Sequence, residues 1–217
     1  MMNFNFNVSE LIFVMPELFL LAAISCILLF DLYVKEELKK FTYHLSQLAL
    51  LITGLLAFNL IGESATIFSG TFVLDTLGST FKVFIAGFSI IALVYSRHYL
   101  SVHGLLRNEY FILALMSILG MLVMVSGHSL LTLYLGLEIM SLSLYALIAT
   151  ARDRAFAIEA ALKYFVLGAI ASGLLLYGMS MIYGITGNLD IAQIASFASL
   201  ATLEPQETLI LNFGLVF

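Results

Sequence analysis

Residues 130–149 read LLTLYLGLEIMSLSLYALIA, an apolar run with a single carboxylate, Glu138, near its middle. About 20 such residues are what an α-helix needs to cross the ~30 Å hydrocarbon core of a bilayer. Only helices and closed barrels satisfy their backbone hydrogen bonds there. An acid at that depth costs roughly 2.5–3.5 kcal/mol on insertion scales, so it marks a functional site by default. Early in the next apolar run stands one ammonium, Lys163. Ionisable groups in consecutive spans suggest a relay.

Working outward, the whole chain has the same character. It is 62% hydrophobic and 11% charged, against roughly 45–50% and about 25% in soluble domains. The sequence therefore predicts an all-α integral membrane protein, a polytopic helix bundle forming one domain over residues 1–217. Complete spans are expected at about 11–30, 41–61, 77–95, 110–125, 130–149 and 157–184, with a partial span at 208–217. That last run is about half a span long, which makes the chain look truncated. Asn188-Leu-Asp190 precedes Ile191, Ile194, Ala198 and Ala201, one helical stripe. A short helix at about 190–201 lying on the membrane surface is expected from it.

Lys and Arg placement predicts orientation. Lys35, Lys39 and Lys40 follow the first span, Arg97 and Arg107 the third, Arg152 and Arg154 the fifth, and the other loops carry none. By the positive-inside rule the N-terminus faces away from the cytoplasm. The single cysteine, Cys26, excludes an intrachain disulfide and a cysteine-rich metal or iron–sulfur site. No Gly-rich phosphate loop, nucleophile elbow or metal-ligand motif occurs. No metal site, bound cofactor or nucleic-acid partner is expected, and ion movement within the bilayer is the chemistry that remains.

Tyr134, Glu138, Ser141 and Tyr145 share one face of the fifth span. Such a polar stripe belongs against other helices or a hydrated cavity. A helix-packing hydrogen bond is the plainer alternative. Counting from Arg154 places Lys163 at a depth of ~13 Å and counting from Arg152 places Glu138 at ~21 Å, so their depths differ by about 8 Å. A contact through one or two waters is the expected geometry. Glu159, four residues before Lys163, offers it a local partner instead. Lys82 lies close to the outer end of the third span, within snorkelling reach of the interface and near Asp75, so anchoring is its expected role. Glu17, beside Pro16, is open between a helix-start carboxylate and a polar contact. Gly168 with Ser172, and Ala169 with Gly173, are small-residue pairs suited to close helix approach.

At these residues the chain resembles a known family. LLTLYLGLEIMSLSLYALIA around Glu138 and EAALKYFVLGAIASGLLLYGMSMIYGITG around Lys163 look like subunit N of proton-pumping NADH–quinone oxidoreductase, respiratory complex I. PELFL, FKVFIAGF, LGMLVMVSGHSLL and NLDIAQIA extend the likeness over nearly the whole chain. The resemblance implies an antiporter-like fold with two inverted five-helix repeats, of which this chain would hold the first six helices and the start of a seventh. It assigns Glu138 and Lys163 to a proton-pathway ion pair; Glu159, Tyr134, Ser141, Tyr145 and Lys82 are candidate accessory residues by their spacing alone. It also implies NADH, FMN, iron–sulfur clusters and quinone in or near other subunits, and none in this chain. Implied partners are the other membrane subunits of complex I, including neighbouring antiporter-like ones, and the lipid of a bacterial inner membrane. Residues 1–217 alone are expected not to form a complete proton channel. An Mrp-like cation/proton antiporter subunit and a structural assembly subunit are the competing readings.

Overall fold

A computed structural model describes residues 8–33, 41–200 and 205–217. After a 3-10 turn at Val8–Val14 come α1 (Met15–Tyr33), α2 (Phe41–Asn59), β1 (Ala65–Ile67), β2 (Phe72–Leu74), α3 (Thr76–Val102), α4 (Asn108–Ser126), α5 (Leu130–Ile148), α6 (Ala155–Thr186), α7 (Ile191–Leu200) and α8 (Pro205–Val216). Six of these helices, α1 to α6, are long and apolar enough to cross a membrane, and the all-helical membrane architecture expected from composition is the one observed. The partial seventh span corresponds to α8 and the surface helix to α7. Ala201, the last residue of the expected surface stripe, and the lysines of the first basic loop lie outside the described residues.

Helix ends follow local chemistry. The Asp75 side chain accepts the Gly78 N–H at 2.6 Å and caps α3, Ser129 accepts from Thr132 N at 3.2 Å to cap α5, and Asp190 accepts from Gln193 N at 2.9 Å to cap α7; each satisfies an otherwise unpaired donor of a first turn. Gly187 closes α6 with φ of 64°, a left-handed conformation that a glycine takes without strain. The third span is longer than its apolar run: α3 continues through Arg97 to Val102. Nothing in Tyr95–Val102 breaks a helix, and the stop comes only at Gly104, where φ is 66°. Hydropathy had marked the edge of the apolar region, not the end of the helix.

The helix α4 is the centre of the bundle. It packs against α1, α2, α3 and α5, and Phe111, Leu115, Ile118 and Leu122 join Leu20, Ile24, Leu50 and Leu93 in one buried cluster. Its seam with α5 is built on small residues, because a Cβ on Gly120 would stand 2.6 Å from the Gly136 carbonyl and from the Met140 nitrogen. Backbones in that contact touch, the arrangement by which helices associate in lipid, where burial from water drives nothing. The helix α6 packs against α5 on one side and α8 on the other.

One element has no counterpart in the sequence reading. Between α2 and α3, β1 and β2 pair antiparallel, Ala65 opposite Leu74 and Ile67 opposite Phe72. Phe68, Ser69 and Gly70 make the turn with φ of 52°, 57° and 93°. Strands of three residues are too short to show a period. The hairpin joins a cap at one end of the bundle: His128 N donates to Thr71 O at 3.0 Å, Leu130 N to Leu189 O at 2.9 Å and Ile191 N to His128 O at 3.1 Å. At the opposite end, side chains tie the loops, with Arg107 on Asp153 at 2.5 Å, Arg152 on Glu109 at 2.7 Å and Arg154 donating to His103 O at 3.1 Å.

Candidate functional site

The helix α5 carries Glu138 eight residues from its start at Leu130, or ~12 Å, so the carboxylate is far from either end. It is half-buried and turned toward α6. Ser172 of α6 donates its hydroxyl hydrogen to Glu138 Oε1 in a short contact. The Tyr134 hydroxyl, one turn earlier on α5, stands 2.8 Å from Ser172 Oγ. A serine hydroxyl has one hydrogen to give. Since Ser172 gives it to the carboxylate, Tyr134 is the donor to Ser172, and the three form a directed chain from Tyr134 through Ser172 to Glu138.

Lys163 lies elsewhere. Ser172 sets the level of Glu138 on α6, and Lys163 precedes it by nine positions, an axial offset of ~13 Å. Its ammonium pairs instead with Glu159 Oε1 at 2.5 Å, one turn back on the same exposed face. The direct or water-linked contact of Glu138 with Lys163 expected from loop counting is therefore not the arrangement found; the local pair is. The two helices sit further out of step than counting from basic loops indicated, and Glu-before-Lys at this spacing is the favourable order on a helix.

The remaining members of the polar face divide. Tyr145 packs edge-on against Tyr164 and Phe165, with ring centroids 4.7 and 5.7 Å away. Its hydroxyl occupies the space that a Cβ at Gly168 would need. It is a packing residue between α5 and α6. Ser141 is half-buried on the same face and is not a member of the hydrogen-bonded chain. Of the two small-residue pairs, Gly168 admits Tyr145, Ser172 holds Glu138, and Gly173 has nothing within 4 Å of a would-be Cβ.

Lys82 is corrected outright. It does not snorkel to an interface, and Asp75 is occupied as a helix cap. Its side chain is 1% exposed and meets Glu17 Oε1 of α1 at 2.5 Å, with Glu17 itself 5% exposed. The Phe72 ring centroid lies 5.0 Å from Nζ. Glu17 is the functional-type residue that sequence reasoning set aside; the signal was the pairing of two isolated membrane charges, each near the start of its own helix. At the other end, Asp31 accepts from Thr42 at 2.9 Å and Asn108 at 2.7 Å. Asp31 also lines, with Glu109 and Arg152, a cleft of about 610 Å³ between α1, α4 and α5. Among the described residues no three His, Cys, Asp or Glu side chains gather as a metal site would require.

Known proteins share this sequence and fold. Residues 127–217, which contain α5 and α6, match the family described as NADH:quinone oxidoreductase/Mrp antiporter, transmembrane. NADH-quinone oxidoreductase subunit N of Ruthia magnifica subsp. Calyptogena magnifica is 66% identical over 100% of the chain and 45% of its own length. Respiratory complex I from Thermus thermophilus superposes with a TM-score of 0.71 at 27% identity, over 93% of this chain and 42% of that one. An archaeal membrane-bound sulfane sulfur reductase complex shares the fold, with a TM-score of 0.76 at 24% identity over 94% of this chain and 42% of that one. The chain spans less than half the length of the curated relatives it matches.

Proposed function

Because the chain belongs to the subunit N family of NADH–quinone oxidoreductases, we propose that it serves in such an enzyme as a proton-conducting membrane subunit, while electrons pass through cofactors held by other subunits. The observation that carries this reading is the chain Tyr134, Ser172, Glu138, placed deep between two membrane helices. A carboxylate, a hydroxyl that both accepts and donates, and a phenol are what a hydrogen-bonded proton path requires. A proton reaching Glu138 converts the carboxylate to the acid, and its release restores the acceptor for Ser172. Lys163 with Glu159 forms a second charged station, ~13 Å back toward the start of α6. A Lys–Glu pair on the outer surface of a membrane helix is costly against lipid. It belongs against protein or water, so α6 faces other helices of the assembled subunit.

In the same reading the chain is a multi-pass protein of a bacterial inner membrane with its N-terminus outside the cytoplasm. It holds no redox cofactor, and its partners are the other membrane subunits, antiporter-like ones among them. NADH, FMN, iron–sulfur clusters and quinone act in or near those neighbours. The test is made in the full-length protein within the intact enzyme. With Glu138→Gln or Lys163→Met, the complex is expected to assemble while the protons moved per NADH oxidised fall by more than half. Unchanged pumping in both variants would favour a scaffold over a pathway. Transport that depended on sodium rather than on NADH oxidation would favour the Mrp-like antiporter reading.

A further inference from the structure

The buried pair Glu17–Lys82 sits within a group of polar atoms that the protein leaves unsatisfied. Nζ and Oε1 approach to 2.5 Å, a single close contact that leaves part of the hydrogen-bonding capacity of the ammonium and the carboxylate unused. Two buried hydroxyls, Ser79 and Ser126, also have no hydrogen-bond partner among the described residues. That is unusual in this molecule. Other buried hydroxyls have partners: Ser46 turns back to Thr42 O, Thr53 to Ala49 O, Ser117 to Ala114 O and Thr186 to Ile182 O, while Thr42 donates to Asp31.

Ser79, Lys82 and Ser126 all lie toward the hairpin end of α3 and α4. Ser79 precedes Lys82 by three positions and shares its face of α3. Val125 packs against Gly78, and Gly127 bridges to Phe72, whose ring lies under the Lys82 ammonium. Ser126 lies between those two contacts at the end of α4. Buried polar groups left unpaired by protein are characteristically bridged by internal water, which needs two to four polar partners. A metal cation is disfavoured by the ammonium and an anion by the carboxylate. Water alone can accept from Lys82 and donate to Glu17 or to a serine oxygen.

We infer that Glu17, Ser79, Lys82 and Ser126 form an internal-water site, separate from the α5–α6 polar chain, in which bound water completes the solvation of a buried ion pair. The site belongs to α1, α3 and α4, and its existence does not depend on whether Glu138 carries protons.

The test is a cryo-EM map of the intact membrane complex containing the full-length protein, at a resolution that shows individual waters. Water density is expected about 2.7–3.2 Å from Lys82 Nζ and from at least one of Ser79 Oγ and Ser126 Oγ. Hydroxyls bonded to backbone carbonyls, with no density between them and the ammonium, would overturn the inference. In a Ser79→Ala/Ser126→Ala complex the density should be lost while Glu17 and Lys82 stay in contact. Density that persisted unchanged would remove the serines from the site and overturn the assignment. The wild-type map decides the matter even where the double variant does not assemble.

Discussion

Ser172 holds Glu138 from the neighbouring helix, and the consequence is a graded expectation for two hydroxyls. Ser172→Ala deletes a hydrogen bond to a charged group, worth roughly 1.5–3 kcal/mol, and also leaves Tyr134 without its acceptor. Tyr134→Phe deletes a bond between neutral groups, about 0.5–1.5 kcal/mol. Measured as proton transport at equal assembly, the serine variant should lose more than the tyrosine variant, and equal losses would break the directed chain. The sequence identified Tyr134 and Glu138 as members of one face, because spacing along a single helix is fixed by its pitch. It could not pair either with Ser172. The offset between neighbouring helices depends on loop geometry and side-chain packing, neither of which has a period. The same blindness put Lys163 within a water or two of Glu138 and kept Glu17 apart from Lys82, which sit on helices separated in sequence by α2.

Among the elements, α4 and α5 form the seam where substitution should be felt most. A Cβ on Gly120 meets backbone at 2.6 Å, and one on Gly136 meets Met124 Cγ at 2.6 Å and the Gly120 carbonyl at 2.9 Å. Main-chain atoms cannot rotate aside, so Gly120→Ala should force the helices apart and destabilise by about 1–3 kcal/mol or more. Gly173→Ala on α6, with open space around it, should be neutral or gain slightly from better helix propensity. Thermal denaturation of the assembled protein orders the two, and a more damaging change at Gly173 would contradict the packing described. Helix number and the start of α7 after Asp190 were legible because apolar runs and helix-start residues are local signals. The β1–β2 hairpin and the extra turns of α3 were not, since one is too short for a pattern and the other is amphipathic beyond the apolar run.

For the whole molecule, the positive-inside rule makes a claim that the fold renders testable. Arg107, Arg152 and Arg154 gather at one end through contacts among the α3–α4 and α5–α6 loops, and the hairpin stands at the other. In a Cys26→Ser background, Glu63→Cys should react with a membrane-impermeant thiol reagent applied to intact cells. His103→Cys should react only after the membrane is opened. Both positions are exposed, so the reverse pattern would invert the protein. The two ends also differ in what fastens them. At the hairpin end the fastening runs between main-chain groups, which every residue type but proline supplies, so that rim can change its side chains and keep its shape. At the arginine end it rests on particular charges in reach of salt, and there a single reversed charge is enough to let the loops part. Among the loop ties, sequence drift and ionic strength will therefore act on those at the arginine end before those of the cap.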